Sequence, residues 1–247
     1  MQMEKSHPSP GSTRQGFAQT RWSIIAAARD IGAGSKYKRA MSELARSYWP
    51  PLYAYLRRKG HAPEEAEDLT QAFFAKLIER NDLKSVDSAK GKFRSFVLAA
   101  LKHFVSNERD KARAQKRGGD VQIISLTSGE AESKYNLDPV DASTPEQVFN
   151  REWAVTILNR VVEKLQDEYR KRSQLEIFEA LHGTLTGGIT AGYATLAGKL
   201  GTTEGALQVA AHRLRKRYRE MLRDEVAQTV SDPALVDEEL RELLNCL

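Results

Sequence analysis

The stretch from Lys92 to Arg117 combines two patterns within one predicted helix. Apolar residues of its first half recur three or four positions apart and so share one helix face: Phe93, Phe96, Val97, Ala100, Leu101, Phe104 and Val105. From Asn107 onward the stripe stops and cations outnumber acids. The pattern predicts a buried half followed by a basic projection, which is either a solvated helix end or an arm that contacts a phosphate backbone.

Helical periodicity also precedes this stretch. Thr20 is placed to cap a first helix, and a second helical pattern runs from Met41 to Leu56. Pro50 and Pro51 interrupt the second pattern. Because proline lacks an N–H donor and its ring clashes with the preceding turn, we expect a kink there or a new helix that starts at Pro51.

A third helix opens at Pro63, with acids in its first turn where the helix dipole favours them. Its predicted buried face consists of Ala66, Leu69, Phe73 and Leu77, with Phe74 and Ile78 beside them. The acids on its outer face form either a solvated surface or a docking surface for a basic partner. A metal site is the weaker alternative, since the sequence positions no histidine or second acidic helix to complete a coordination shell.

From Gly118 the composition changes to glycine, serine and acidic residues, which predicts a linker as far as Thr144. Thr144, Pro145 and Glu146 then form a strong helix start. The helix that they open carries apolar residues at intervals of three or four: Phe149, Trp153, Ile157, Val161 and Leu165.

A short helix, a glycine turn and a longer helix follow one another from Tyr193, with Gly201 in the turn and Thr203 as the cap. This order is the signature of a helix-turn-helix, whose second helix lies in the DNA major groove. Leu207, Ala210, Leu214 and Met221 are expected to face inward, and Glu204, Gln208, Ala211, His212, Arg215 and Arg219 outward. Gln208 and Arg215 can read base edges, whereas Arg213, Lys216 and Arg217 are better placed for phosphates.

The tail begins a further amphipathic helix at Asp232 and Pro233. Its apolar stripe consists of Val236, Leu240, Leu243, Leu244 and Leu247. Such a stripe requires a covering surface, either on this chain or on a partner.

The composition of the chain limits the classes of protein to which it can belong. The chain has 247 residues, 40% of them apolar, with a net charge of +5 and a pI near 9.2, which agrees with a polyanion partner. Cys246 is the only cysteine, so we expect no disulfide, no cysteine metal cluster and a reducing cytoplasm. The polar N-terminus reads as a disordered leader, and no early apolar run is long enough to insert into a membrane. The dispersed histidines indicate neither a catalytic constellation nor a metal or cofactor site.

Taken together, the chain resembles bacterial RNA polymerase sigma factors of the sigma-70 family, in the extracytoplasmic-function type that keeps only regions 2 and 4. The residues that carry the resemblance are APEEAEDLTQAFFAKLIE at 62–79, FRSFVLAALKHFVSNERDKARAQKR at 93–117, and YATLAGKLGTTEGALQVAAHRLRKRYREML at 193–222. The resemblance implies an all-α fold of two helical domains. Their expected limits are a leader over 1–17, region 2 over 18–117, an acidic flexible linker over 118–144, region 4 over 145–230, and an amphipathic extension over 231–247.

The resemblance also implies partners and contacts. Core polymerase would be bound through its clamp helices and flap, with the clamp-helix contacts made by Glu64, Glu67, Asp68, Leu69, Gln71 and Phe74. The minus-ten promoter element would be recognised and melted by Lys102, His103, Phe104, Ser106, Asn107, Arg109, Asp110, Arg113 and Arg117. The minus-thirty-five element would be read by Thr203, Glu204, Gln208, Ala211, His212, Arg213, Arg215, Lys216 and Arg219.

Two further expectations follow. An anti-sigma protein is a third partner that the resemblance allows, whereas catalysis of its own is not expected. The rival reading is a stand-alone helix-turn-helix repressor or activator whose N-terminal half senses a signal or dimerises. It differs from a sigma factor because it would bind promoters without polymerase.

Overall fold

The computed structural model describes residues 34–80, 83, 92–116, 143–187, 192–230 and 232–247. Within these ranges all regular secondary structure is helical, which confirms the all-α prediction. The α-helices are α1 (Ser35–Arg58), α2 (Pro63–Arg80), α3 (Phe93–Lys116), α4 (Pro145–Lys171), α5 (Leu175–Leu181), α6 (Tyr193–Leu200), α7 (Glu204–Ala227) and α8 (Val236–Asn245). The leader, the helix expected after Thr20 and nearly all of the predicted linker lie outside the described residues. No described helix combines the length and the apolar character that crossing a membrane requires.

Helix α1 continues without a break through Pro50 and Pro51. The alternative of a new helix at Pro51 is therefore wrong. Every residue from Pro51 to Leu56 is buried. Because helices in proteins draw most of their stability from tertiary packing, this burial outweighs the backbone hydrogen bonds that the two prolines cannot donate.

The apolar stripe of α3 packs as predicted. Its buried members, Phe93, Val97, Leu101 and Phe104, lie in a core shared with α1 and α2. The Phe93 ring meets the edge of Tyr48 with 5.5 Å between ring centroids, and Phe104 meets Phe73 at 5.9 Å. Aromatic pairs favour this edge-to-face geometry, so the first half of α3 is held firmly in place.

Helix α4 begins at the predicted residue. The hydroxyl oxygen of Thr144 accepts a hydrogen bond from the N–H of Gln147, and the Gln147 side chain accepts one from the N–H of Thr144. This reciprocal capping box satisfies two donors that a helix start would otherwise leave unpaired. Phe149 and Trp153 in the first half of α4 then pack on α1, which joins the two halves of the chain.

Two apolar cores share the long helices α4 and α7. The first contains α1, α2, α3, the first half of α4, the end of α7 and α8. The second contains the end of α4, α5, α6 and the first half of α7. Leu214 of α7 thus lies in the second core and Leu222 in the first. The described helices are therefore not divided into two separate cores at the predicted linker.

The tail forms the predicted amphipathic helix. Asp232 caps a 3-10 turn, Pro233–Leu235, that leads into α8. Val236 and Leu243 of α8 are buried in the first core, whereas Leu244 remains exposed. The surface that covers most of the stripe is therefore on this chain, on α7 and α4.

Candidate nucleic-acid interface

The second half of α3 is exposed and basic. Arg109, Lys111 and Arg113 are all exposed. Lys111 pairs with Glu108 at 2.9 Å, and Lys76 of α2 pairs with the same carboxylate at 3.2 Å. The hydrogen bonds from these two lysines, that of Lys111 first, hold the pKa of Glu108 below its usual range. Arg109 and Arg113 have no ion-pair partner within the described residues, which leaves both cations available to a phosphate backbone.

The predicted minus-ten contacts on α3 point into two different surfaces. Lys102, Ser106 and Arg109 line a cleft towards α4. His103 and Asn107 instead line a shallow groove of about 140 Å³ towards α2. Asp110 and Arg113 are exposed further along the helix, and Arg117 lies outside the described residues.

The structure corrects the placement of Phe104 among the surface contacts. Phe104 is only 7% exposed, and its ring packs against Phe73. The ammonium of Lys76 lies 5.0 Å from the centroid of the same ring. Phe104 continues the buried stripe of α3, so it forms the floor of the groove and supports His103 and Asn107 from beneath.

The cleft beside α3 has a volume of about 370 Å³ and separates this helix from the end of α1 and the start of α4. Across it, Nζ of Lys102 lies 2.7 Å from Oε1 of Glu146. This hydrogen bond raises the pKa of Lys102 and lowers the pKa of Glu146. Lys59 and Arg109 add cationic walls to the cleft. One predicted DNA contact, Lys102, is therefore paired with an acid of α4 in this arrangement.

The residues predicted to contact the polymerase clamp helices all lie on α2, and they divide into an outer and an inner group. Asp68 and Gln71 are exposed, and Glu64, Glu67 and Leu69 are half-buried. Phe74 is buried instead, stacked on Trp49 with 6.0 Å between ring centroids. Phe74 thus fixes the helix to the first core, while the acids remain on its outer side.

Helices α6 and α7 are joined by the tight turn that the sequence predicts. Gly201 ends α6 with φ 62° and ψ 33°, a left-handed conformation that glycine adopts without the steric cost of a side chain. The N–H of Thr202 donates to the carbonyl of Ala197 at 3.0 Å. The hydroxyl oxygen of Thr203 accepts from the N–H of Ala206 at 3.2 Å and so caps α7. These bonds fix the angle at which α7 leaves the turn.

The outer face of α7 carries most of the residues predicted to read DNA. Thr203, Glu204, Gln208, His212, Arg213, Lys216 and Arg219 are exposed, and Arg215 is half-buried. Within the part of the chain that the structure describes, Arg215, Lys216 and Arg219 have no ion-pair partner. Arg217, which was expected to contact phosphate, instead pairs with Glu168 of α4 at 2.9 Å.

Ala211 does not lie on this outer face, and its predicted DNA contact is wrong on this geometry. Ala211 is 0% exposed in the second core. Its spacing from Leu207 and Leu214 continues the buried stripe of the helix, since residues three and four apart share a face. Ala210, expected to face inward, is only half-buried.

The sequence reasoning missed a buried charge network at the start of α3. Nε of Arg94 donates to Oε1 of Glu239 at 2.7 Å, and its Nη2 donates to Oε2 of Glu242 at 2.6 Å. Nζ of Lys92 lies 2.8 Å from Oε2 of Glu239. The Arg94 guanidinium also covers the Trp153 ring at 5.0 Å. The partners come from α3, α4 and α8. They lie far apart in sequence, so local periodicity does not reveal the network.

A second network, also missed, joins α1, α4 and α7. Arg160 of α4 donates to the hydroxyl of Ser47 at 2.7 Å and also bonds the Glu43 carboxylate. Its Nε lies 3.2 Å from Oε1 of Glu225, a carboxylate that is 2% exposed and also bonds Lys164. Buried charges are tolerated only when paired in this way. No trio of His, Cys, Asp or Glu in the described ranges is arranged to hold a metal ion.

Comparison with known families tests the first three helices. The family model Sigma-70 region 2 matches residues 44–115, which span most of α1, all of α2 and nearly all of α3. This segment of the chain is similar to sigma-70 region 2 domains. This match supports membership of the sigma-70 family and with it a role in binding RNA polymerase and melting promoter DNA. No curated protein and no solved structure matches the chain.

Proposed function

We propose that the chain is a sigma factor of the extracytoplasmic-function type, with a short C-terminal extension. It binds core RNA polymerase, directs the enzyme to specific promoters and assists melting of the DNA. The observation that carries the proposal is the order of its parts. The Sigma-70 region 2 match on α1–α3 is followed by a short helix, a left-handed glycine turn and a long basic helix.

Polymerase docking belongs to α2. Asp68 and Gln71 extend from a helix whose inner side is fixed by Phe74, so the docking surface is formed before the partner arrives. Preorganised surfaces lose less conformational entropy on binding. The acids favour a basic partner surface and speed its association.

Promoter melting belongs to the second half of α3. A base that leaves the DNA stack costs a few kcal/mol, which a pocket and cationic contacts to the freed strand must offset. The groove bordered by His103 and Asn107 is a candidate pocket, with the Phe104 ring beneath it. Arg109 and Arg113 are exposed further along the helix without an ion-pair partner among the described residues, and they would hold the strand.

Recognition of the minus-thirty-five element belongs to α7. Gln208 and Arg215 carry groups that can pair with base edges, and Lys216 and Arg219 are exposed for phosphates. The glycine turn and the Thr203 cap hold the helix at a fixed angle to α6.

A stand-alone DNA-binding regulator is the second candidate, favoured by the same basic face of α7. Fluorescence anisotropy with labelled promoter DNA separates the two, in the presence and absence of core polymerase. A sigma factor gives promoter-specific binding that depends on core polymerase. Equally tight and specific binding by the chain alone, with no change on adding core, would support the regulator.

A further inference from the structure

The tail helix α8 bridges parts of the molecule that the proposed function requires to act at a distance from each other. Glu239 and Glu242 hold Lys92 and Arg94 at the start of α3, while Val236 and Leu243 pack into the first core beside the end of α7. A backbone hydrogen bond, from the N–H of Phe93 to the carbonyl of Thr229, lies in the same place. The start of the minus-ten helix is thus attached to the end of the minus-thirty-five helix.

This attachment limits how far apart the two reading faces can lie. At about 1.5 Å per residue, Arg109 lies about 24 Å along α3 from Phe93, and His212 about 26 Å along α7 from Thr229. Even in a straight line, with the hydrogen bond between them, the backbones of Arg109 and His212 are separated by at most about 55 Å. The two promoter elements lie about 25 base pairs apart by their names, or about 85 Å at about 3.4 Å per pair. In this closed arrangement Arg109 and His212, near the middle of the two reading faces, therefore lie closer together than the two elements do on straight DNA.

The closed arrangement also occupies part of the proposed DNA surface. Glu146 at the start of α4 pairs with Lys102 across the cleft beside α3. A phosphate of the promoter would have to displace this carboxylate. Packing of Phe149 and Trp153 on α1 keeps the start of α4, and Glu146 with it, close to α3.

We propose that α8 is an intramolecular latch that stabilises a closed resting state of the chain, and that the latch must release before both promoter elements are bound. The proposal rests on the proposed function, because it assigns a regulatory contact to the same two reading helices. Apolar packing between α1 and α4 contributes to closure as well, and the latch adds charge pairs that join α3 to the tail. Glu239 is 0% exposed, and a carboxylate buried in this way costs stability unless cationic partners surround it.

The chain contains a matched control for this latch. Asp237 also lies on α8 and pairs with Arg223 of α7, but both side chains are more than half exposed. Exposed ion pairs contribute little to stability, so Asp237→Asn removes one carboxylate from the same helix without breaking the latch. Glu242→Gln weakens the latch at a side chain that is 42% exposed, and the double variant E239Q/E242Q removes both latch charges while preserving side-chain volume.

The latch is tested by energy transfer between dyes on Ala112→Cys of α3 and Lys199→Cys of α6, in a Cys246→Ser background. Both labelled positions are exposed and lie outside the predicted contacts. We expect higher transfer in the free chain than in its complex with core polymerase, and a decrease without polymerase that grows from E242Q to E239Q/E242Q. D237N should match the parent. Promoter binding without polymerase should strengthen at least about fivefold in E239Q/E242Q, within the usual range of coupling between sites.

Several outcomes would overturn the latch. One is transfer in the free parent chain that is no higher than in its complex with core polymerase. Another is an E239Q/E242Q variant that is folded, as circular dichroism measures, but has unchanged energy transfer and unchanged DNA binding. If only the melting temperature of this variant falls, α8 stabilises the fold and is not a latch. If E239Q/E242Q fails to fold, the energy transfer and DNA binding of the single variant E242Q are compared with those of D237N instead. Failure of the proposed function would appear differently, as absence of polymerase binding by every variant.

Discussion

Two arginines of this chain illustrate how surroundings decide the role of a side chain. Arg94 is 7% exposed, with two carboxylates and the Trp153 ring around it. Burial lowers its pKa, but the hydrogen bond to Glu239 and the nearby acids outweigh this effect and raise it. Arg215 is half-buried on the outer face of α7 with no ion-pair partner within the described part of the chain. The first therefore stabilises the fold, and the second is available to a ligand.

Arg215→Ala should weaken binding to one upstream base pair by about 1–3 kcal/mol, because a bidentate contact to a base is lost. Holoenzyme binding to a panel of promoters with single substitutions measures this effect. Lys216→Ala is the matched control, and a phosphate contact predicts equal weakening on every sequence. A uniform loss for Arg215→Ala as well would reduce its role to a phosphate contact.

Glu239→Ala should lower the free energy of unfolding by about 3 kcal/mol, because it leaves Arg94 buried without its fully buried carboxylate partner. Glu242→Ala removes a half-exposed partner of the same arginine and should cost about 0–1 kcal/mol. Urea unfolding followed by circular dichroism compares the two. Equal costs would show that Glu239 is not buried in solution.

At the scale of the element, local signals predicted most of the helices. The three- and four-residue spacing from Phe93 to Phe104 identified the buried face of α3, and Thr144 identified the start of α4. Local rules were less reliable where packing opposed them. Pro51 did not end α1, because the residues after it are buried, and Ala211 was assigned to the outer face although its spacing from Leu207 and Leu214 places it on the buried stripe.

Reversal of charge in the double variant E67K/D68K should weaken the affinity for core polymerase at least about tenfold, which corresponds to about 1.4 kcal/mol. The physical reason is that the variant replaces acids of α2 which, in the proposed complex, face a basic surface of the polymerase. The double variant E176K/E179K makes the same change of charge at exposed acids of α5 and should bind as the parent does. Unchanged affinity in E67K/D68K would place the docking surface elsewhere.

At the scale of the whole molecule, the arrangement of the helices could not be read from the sequence. The Arg94–Glu239 pair joins residues 145 positions apart, and the Arg160–Glu43 pair joins residues 117 apart. Neither belongs to a periodic pattern, and many lysines, arginines and acids of the chain were equally plausible partners. The candidate site shows the same division: the reading helices were predicted from local patterns, whereas their closed arrangement depends on long-range pairing.

Run-off transcription with purified core RNA polymerase tests the central claim most directly. Core enzyme and the native chain together should produce transcripts with discrete start sites from a set of candidate promoters, and core enzyme alone should not. E176K/E179K should retain this activity and E67K/D68K should lose most of it. If no template yields a specific transcript, although the folded chain binds promoter DNA alone, the chain is not a sigma factor.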